Sequence, residues 1–249
     1  MPAPMARPPA TPPERLAAGP LVLRRVAAHD AGVIAAAVGA SLEHLRPWMP
    51  WATLEAADLR TQLVRVAEAD ELWETGTGFI YVMIARDSER APREPAGRRG
   101  DPDGEFVGTI GMHRRAADDA LEIGYWIASA KTRRGYATAA ARALTPVALE
   151  LSGARRVEIH CDEANTASAA IPRKLGYRLD RIEVHEREAP GERGRRMIWV
   201  WDRGEAPGAG WSTGPAGRSA RSGAGRPAGP RPAARCWPAR PFWRRAAWP

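Results

Sequence analysis

A short basic turn carries the first side chains whose types and spacing could do chemistry. Residues 131–138 read KTRRGYAT and lead from a strand-like segment into a helical one. Unpaired amides at a helix N-terminus, together with the positive end of the helix dipole, attract anions, and a glycine lets a phosphate approach the backbone. The segment therefore predicts a phosphate site around Arg133, Arg134 and Gly135. The alternative is a simple turn with solvated arginines.

A glutamate two residues before a glycine marks the second segment. In residues 121–127 (LEIGYWI), strand alternation places Glu122, Gly124 and Trp126 on one face. A glycine inside a strand often marks a bulge or the close approach of a ligand. Glu122 therefore lies beside a candidate irregularity of the strand, and the alternative is an exposed strand glutamate.

The third segment, residues 162–168 (DEANTAS), follows a strand and opens a helix. Asn165 fits an N-cap, and Ser168 three residues later can bond locally, so capping alone would explain both residues. Cys161, at the end of the preceding strand, is interpreted as a small buried hydrophobe.

These three segments need a sheet and helices to position them. Runs rich in β-branched and aromatic residues predict strands at 21–26, 78–85, 105–112, 120–127, 156–161, 177–186 and 196–201. Helical periodicity predicts helices at 29–38, 41–45, 56–73, 135–151 and 166–175. The order predicts a mixed α/β (α+β) fold whose sheet has about six to seven mostly antiparallel strands and one parallel crossover.

Three segments lack any pattern of buried residues. Residues 1–19 and the Arg/Pro/Gly-rich residues 203–249 are predicted to be disordered, and residues 87–104 to form a mobile loop insertion between two strands. The net charge of +8 equals the excess of nine arginines over Glu205 within residues 203–249, so residues 1–202 are neutral overall. This distribution argues against a nucleic-acid partner for the folded part.

Cysteine, histidine and hydropathy patterns exclude several classes of protein. Two cysteines cannot build a disulfide framework, and five histidines show no paired metal spacing, so no metal site is predicted. No run approaches the ~20 apolar residues of a membrane span. We therefore expect a soluble cytoplasmic protein.

In combination, four segments resemble the GNAT superfamily of N-acetyltransferases, of the RimJ/RimL type, over residues 20–202. They are LRPWMPW at 45–51, the strand at 122–127, the loop RRGYAT at 133–138, and NTAS at 165–168 with KLGY at 174–177. The resemblance implies the GNAT fold, with helices on both faces of the sheet. It also implies an acetyl-CoA-dependent enzyme that acetylates a primary amine by direct attack, through a tetrahedral intermediate and without a metal.

The resemblance implies a role for each matching position. Glu122 would be the general base, acting through water, and Ser168 would protonate the departing thiolate. Trp48 and Trp51 would lie near the acceptor, the alternative being core packing of the helical layer. The backbone of one strand would pair with the pantetheine arm, an N-cap would bond it, and one loop would hold the pyrophosphate. The strand positions are Tyr125, Trp126 and Ile127, and the N-cap is Asn165. The loop positions are Arg133, Arg134, Gly135, Tyr136, Ala137 and Thr138.

Two positions depart from the family pattern. Thr132 stands where the family usually has Gln or Arg, which removes one side-chain contact to the phosphates. Pro172 lies inside the last helix, where it removes a helical hydrogen bond and crowds the carbonyl of Ser168. Relatives outside this subgroup often have a tyrosine acid at that position, so Ser168 is the remaining acid here.

The acceptor that best suits a single water-relayed base is an α-amine. An α-amine with a pKa near ~8 is roughly one-tenth neutral at pH 7, whereas a lysine with a pKa of ~10.4 is neutral only at the ~10⁻⁴ to 10⁻³ level. A protein N-terminus is therefore the leading partner, bound by a monomer or homodimer, and small amines such as amino acids or antibiotics stay open. The rival hypotheses are a catalytically weak acyl-CoA-binding module and a nucleic-acid-binding protein acting through residues 203–249.

Overall fold

An eight-stranded sheet forms the centre of the described structure. The computed structural model describes residues 11–86, 104–114, 119–151 and 153–204. In spatial order β1-β2-β3-β4-β5-β6-β8-β7, neighbouring strands are antiparallel except β5 and β6, which are parallel. The strands are β1 (Arg15–Ala18), β2 (Leu21–Arg25), β3 (Gly78–Ala85), β4 (Glu105–Arg114), β5 (Ala120–Ile127), β6 (Arg156–Asp162), β7 (Arg178–Val184) and β8 (Arg195–Asp202).

Helices cover both faces of this sheet, as the family resemblance implies. The buried apolar residues form two clusters. In the first core, Leu144 of one helix packs with Leu121. In the second core, Ile34 and Val66 of two other helices pack with Trp126. Successive residues of a strand point to opposite faces, so β5 contributes to both cores. The α-helices within the described residues are α1 (Ala31–Ala40), α2 (Leu42–Leu45), α3 (Leu59–Glu74), α4 (Tyr136–Glu150) and α5 (Thr166–Leu175).

Capping residues set the ends of the helices that frame the cavity described below. The side chain of Asp58 accepts hydrogen bonds from two backbone amides at the start of α3. Asn165 accepts the amide of Ser168 at the start of α5, 3.1 Å away. Gly176, with φ of 86°, ends α5 in the left-handed conformation that favours glycine.

The prediction of disorder for residues 1–19 is wrong for β1. This strand pairs antiparallel with β2, and Ala18 is buried against the sheet. The carbonyl of Pro13 accepts a hydrogen bond of 2.9 Å from the hydroxyl of Tyr81. Four residues are too few to show a strand period in the sequence, whereas β2 supplies the backbone partners that order them. The sheet therefore has one strand more than predicted.

The other segments predicted to be disordered or mobile lie mostly outside the described residues. The parts outside are residues 1–10, all but Gly104 of the insertion at 87–104, and residues 205–249. The described chain does extend just beyond β8, because the amide of Arg203 donates to the carbonyl of Arg155 at 2.7 Å.

The described ranges lack a membrane-spanning helix and a cluster of metal-binding side chains. They contain no helix that is both long and apolar enough to cross a membrane. They also contain no group of three or more His, Cys, Asp or Glu side chains that could hold a metal ion. The cysteine they include, Cys161, is a buried free thiol.

Candidate active site

Strands β5 and β6 pair along only part of their length and then separate. The last paired residues are Glu122 and Glu158, although β5 continues to Ile127 and β6 continues to Asp162. Parallel neighbours that stop pairing leave an opening between two strand edges. Gly124 lies in the part of β5 that is not paired with β6, although its pairing with β4 is regular.

A cavity of about 150 Å³ lies beside this opening, lined by residues of both cores. Apolar side chains of α1, α3, β5 and β6 form much of its wall. A largely apolar cavity with a few convergent polar groups is the usual form of a small-molecule site. The polar side chains in the lining include Gln62, Arg65, His113, His160, Asn165, Ser168 and Glu192.

Trp48 and Trp51 both line this cavity. Trp51 is also packed into the second core, where it meets Trp126 edge to face with 5.9 Å between ring centroids. The guanidinium of Arg65 lies 5.4 Å from the centroid of the Trp51 ring, and burial lowers the pKa of Arg65. Trp51 therefore serves core packing and the cavity wall together, and its contact with an acceptor stays a prediction.

Glu122 is buried, so the alternative of an exposed strand glutamate is wrong. Only 1% of its side chain is exposed, and it does not line the cavity, whereas His113 and His160 do. His113 is its partner across β4 and β5. Burial lowers the pKa of His113 to about 4, against the attraction of the Glu122 carboxylate. His113 is therefore neutral at pH 7.

β6 carries a buried polar stripe that the sequence-based predictions did not include. Nε of Arg156 lies 2.8 Å from Oε1 of Glu158, and Nε2 of His160 lies 2.7 Å from Oε2 of Glu158. Nδ1 of His160 lies 3.7 Å from Oε2 of Glu122 on the neighbouring strand. The signal was present in the sequence, because these polar residues alternate with apolar ones on a strand that the sheet topology places in its interior.

Ser168 lies in the first turn of α5, next to the opening. Its hydroxyl lies 3.3 Å from the hydroxyl of Tyr125, whose pKa is raised by burial. Burial also raises the pKa of Cys161 to about 11, although hydrogen bonding to Ser168 acts in the opposite direction. Cys161 is therefore a protonated thiol at pH 7, and its interpretation as a buried hydrophobe is confirmed. Asn165 caps α5 as predicted.

Pro172 lies inside α5 without ending the helix, which continues to Leu175. It has no amide proton to donate to the carbonyl of Ser168. The hydroxyl of Tyr125 lies 3.4 Å from that carbonyl oxygen. A side chain of β5 therefore supplies a donor where the helix lacks one.

The basic turn has the geometry of a helix start that can bind an anion. Gly135 adopts φ of 78° and is the N-cap of α4, and a Cβ built on it would meet nothing within 4 Å. Arg133, with φ of 62°, and Arg134 are exposed. The hydroxyl of Thr132 donates to the carbonyl of Ser129 at 3.0 Å, so Thr132 stabilises the turn. Phosphate binding by this turn stays a prediction.

The connection between β7 and β8 closes one side of the cavity. Asp162 accepts backbone amides from this connection, and although its burial opposes ionisation, these hydrogen bonds lower its pKa. Glu192, which lines the cavity, accepts two further amides of the connection. The amide of Gly191 donates to the carbonyl of Pro47 at 2.8 Å. The connection is therefore fixed against the segment that carries Trp48.

Comparison with known proteins decides the family. The sequence profile of the acetyltransferase (GNAT) domain matches residues 20–178. The chain belongs to the GNAT family. It is accordingly an N-acetyltransferase, with the fold and the RimJ/RimL likeness that its motifs predicted. YdaF of Bacillus subtilis, provisionally described as a ribosomal N-acetyltransferase, is 37% identical over 76 residues, which are 30% of this chain and 42% of that protein.

Solved structures of GNAT proteins share the fold. A RimL ribosomal L7/L12 α-N-protein acetyltransferase in complex with coenzyme A matches with a TM-score of 0.64 at 17% identity, over 76% of this chain and 98% of that one. Mycobacterium smegmatis RimJ in complex with CoA-disulfide matches with a TM-score of 0.62 at 23% identity, over 76% and 84% of the two chains. The ribosomal-protein-S5-alanine acetyltransferase of Vibrio fischeri matches with a TM-score of 0.63 at 16% identity, over 77% of this chain and 97% of that one.

Proposed function

We propose that this GNAT enzyme transfers acetyl from acetyl-CoA to the α-amine of a protein N-terminus. The observation that carries the proposal is the separation of β5 and β6 after Glu122 and Glu158, beside a cavity that Ser168 and two tryptophans line. The opening gives a thioester access to the cavity between two strands. The cavity can then receive an amine from the other side.

The residues around the opening suit acetyl-CoA. Beyond Glu122, β5 does not pair with β6, so the backbone of Tyr125, Trp126 and Ile127 can pair with the amides of a pantetheine arm, and Asn165 lies across the opening. The loop that follows β5 has open space in front of Gly135 and two exposed arginines. The amides of Tyr136, Ala137 and Thr138 begin α4 and supply donors for a pyrophosphate.

Glu122 and Ser168 supply the two proton-transfer functions in this proposal. The acceptor ammonium loses one proton towards the buried carboxylate of Glu122, and the nitrogen lone pair forms a bond to the acetyl carbonyl carbon. The C–S bond breaks with its electron pair on sulfur. A second proton leaves the nitrogen, and the hydroxyl of Ser168 delivers a proton to that sulfur. The products are an N-acetyl amine, coenzyme A as the thiol, and one released proton.

Direct transfer fits the state of the described cysteine. A thiolate, rather than a thiol, is the form that attacks an acyl group. Because burial raises the pKa of Cys161 to about 11, an acetyl-cysteine intermediate at this position is disfavoured at neutral pH. The amine itself is therefore the nucleophile that we propose.

An N-terminal α-amine is the acceptor that the site and the relatives favour. The cavity of about 150 Å³ is small and mostly apolar, which suits a short first side chain more than an extended polar ligand. An α-amine also needs less help to lose a proton than a lysine does. The RimL and S5-alanine acetyltransferases that share the fold are described as acting on ribosomal proteins.

The test is acetyl transfer by the purified full chain. Peptides with a free N-terminus and no lysine, the same peptides with a blocked N-terminus and one lysine, and a panel of small amines are each mixed with acetyl-CoA. We expect thiol release, and a mass increase of one acetyl group, with the free N-termini. Acetylation of small amines alone would make the protein a small-molecule enzyme, and tight acetyl-CoA binding with no transfer would make it a binding module.

A further inference from the structure

The polar stripe on β6 places a histidine between two buried carboxylates. Nε2 of His160 lies 2.7 Å from Oε2 of Glu158, and Nδ1 lies 3.7 Å from Oε2 of Glu122. The exposed fraction of the His160 side chain is 3%, and those of the two carboxylates are no more than 2%. The first distance is a hydrogen bond, and the second is an electrostatic contact longer than a hydrogen bond.

The sheet register explains why these three groups meet. Glu122 and Glu158 are the last partners in the parallel pairing of β5 and β6. Two buried carboxylates facing each other repel, and both need compensation. His160 is the next residue on the same face of β6, so its ring reaches both. Because the strands separate beyond this point, the ring also lines the cavity, which Glu122 does not.

We propose that His160 is the group that takes the proton from the acceptor amine, with Glu122 and Glu158 stabilising the imidazolium that forms. This inference rests on the acetyl transfer proposed above and names the immediate acceptor of the proton that Glu122 attracts. His160 combines contact with the cavity and contact with both carboxylates.

The hydrogen bond to Glu158 sets the tautomer of the ring. The carboxylate accepts a hydrogen bond from Nε2–H, which leaves Nδ1 as the basic nitrogen of the neutral imidazole. Nε of Arg156 lies 2.8 Å from the other oxygen of Glu158 and orients this carboxylate. A proton that arrives at Nδ1 lies next to Glu122. Glu158 and Arg156 are therefore positioning residues, because they act through His160.

The step balances with no further reactant. One proton of the ammonium moves to Nδ1 of His160, and the nitrogen lone pair forms the N–C bond as the C–S bond breaks with its electron pair on sulfur. A second proton from the nitrogen reaches that sulfur through Ser168, and the third remains on the amide. After the product leaves, His160 releases its proton to solvent and returns to the neutral form.

Charged and titratable groups reach the surroundings of His160 from several elements. β4 supplies His113, which is neutral at pH 7, and α3 supplies Arg65 in the same cavity lining. Asp162 is the next residue of β6 on this face. The remaining groups are Arg196 of β8, which is paired in register with Asp162, and Arg181 of β7, which interacts with Glu158.

The decisive experiment compares His160→Gln with His29→Gln, which changes an exposed histidine outside the cavity lining. For His160→Gln we expect a loss of about 10²-fold or more in kcat/KM at pH 7, within the range of general-base assistance. The Kd for acetyl-CoA stays within about twofold of wild type. In wild type, kcat/KM rises between about pH 5 and 8, where histidine side chains change charge. In His160→Gln the rise moves to higher pH, where the acceptor amine is itself neutral, and His29→Gln keeps the wild-type profile.

A double variant distinguishes a shared role from separate ones. Groups that act as a unit give losses that do not multiply. We expect Glu122→Gln, His160→Gln and the pair to lose similar factors in kcat. If His160→Gln does not fold, Glu158→Gln serves instead, since it keeps a hydrogen bond to the ring but removes the charge, and it should lower kcat and alter the same pH dependence.

The outcomes separate this inference from the proposed function. Wild-type protein that binds acetyl-CoA but acetylates no amine would overturn the acetyl transfer itself. Active wild type with an equally active His160→Gln would overturn only the role of His160. A variant that loses thermal stability and kcat but keeps the wild-type pH dependence would also overturn it, because His160 would then be a structural bridge between two carboxylates. Losses in kcat that multiply in the double variant would also overturn the role of His160.

Discussion

The hydroxyl of Tyr125 lies 3.3 Å from the hydroxyl of Ser168 and 3.4 Å from its backbone carbonyl. Pro172, four residues after Ser168, cannot donate a helical hydrogen bond to this carbonyl. Tyr125 of β5 therefore contacts α5 beside the opening, at the point where α5 lacks its own donor. The position of the proposed acid depends on a strand residue as well as on its helix.

Tyr125→Phe should weaken both stability and turnover. The substitution removes a hydrogen bond at a buried site, which is worth about 1 kcal/mol of unfolding free energy. It also loosens the Ser168 hydroxyl, so we expect kcat to fall several-fold while the KM for acetyl-CoA changes little. Urea unfolding and steady-state thiol release measure the two effects.

Tyr177→Phe is the matched control for this prediction. The hydroxyl of Tyr177 lies 2.6 Å from that of Thr145, and both residues are buried outside the cavity lining. This variant should lose similar stability and keep wild-type kcat. Equal kcat values for the two variants would show that the Tyr125 contact has no bearing on catalysis.

Gly135→Val should abolish the rise in melting temperature that acetyl-CoA produces. The left-handed φ of 78° disfavours a β-branched residue, and the new side chain would fill the open space in front of the first amides of α4. A ligand that binds only the folded state stabilises it by mass action, so lost binding appears as a lost thermal shift.

Gly19→Val controls for backbone strain alone. Gly19 has φ of 60° and open space around its Cβ position, but it lies in the turn between β1 and β2. This variant should melt at a lower temperature and keep the full shift with acetyl-CoA. A full shift in Gly135→Val would place the phosphates elsewhere on the protein.

The sequence predicted the local features of the site more completely than its assembly. Strand alternation places Glu122 and Trp126 on one face, and the cap at Asn165 needs only its neighbours in sequence. The contact of Glu122 with His160 depends on the register between β5 and β6. Helix α4 separates these two strands in the sequence, so no local pattern determines their register. β1 has four residues, which are too few to show a strand period in the sequence, and its pairing with β2 orders it.

His113→Gln should make stability less sensitive to acid. The pKa of His113 is lowered to about 4 by burial, from 6.5, so the unfolded chain binds a proton in this range and the folded protein does not. The free energy of unfolding therefore falls as pH drops from 6.5 towards 4, by up to about 3 kcal/mol. The variant should lack this part of the decline.

Urea unfolding at several pH values between 7.5 and 4.5 measures the effect. His29→Gln, at an exposed position, should follow the wild-type decline. A decline in His113→Gln as steep as that of wild type would mean that His113 gains a proton in the folded state, with a pKa that burial has not lowered.

A chain that ends at Gly204 should fold and bind acetyl-CoA like the full chain. The strands, helices and proposed site residues described above precede this position, and Arg203, whose amide bonds to Arg155, is retained. Thermal melting with and without acetyl-CoA, and thiol release with an acceptor peptide, make the comparison. Loss of catalysis in the shorter chain would assign residues 205–249 a part in the reaction, whereas salt-sensitive DNA binding by the full chain alone would support the nucleic-acid hypothesis.

Glu122→Gln should lower kcat at pH 7 by about 10²- to 10⁴-fold, the usual range of general-base assistance, and leave the Kd for acetyl-CoA nearly unchanged. The substitution preserves the shape of a side chain that is 1% exposed, so β5 keeps its path along the opening. Glu43→Gln, which changes an exposed glutamate of α2, is the matched control and should match wild type.

The pH dependence of Glu122→Gln distinguishes the chemistry of the acceptor. An α-amine with a pKa near ~8 is mostly neutral at pH ~9, so the variant should recover part of its rate there without a carboxylate to draw off the proton. A lysine acceptor, with a pKa of ~10.4, would stay mostly protonated and show much less recovery. Ser168→Ala should not recover at all, because a neutral amine does nothing for the departing thiolate. Wild-type kcat in Glu122→Gln at pH 7 would remove this carboxylate from the reaction and with it the reason for a histidine held between two acids.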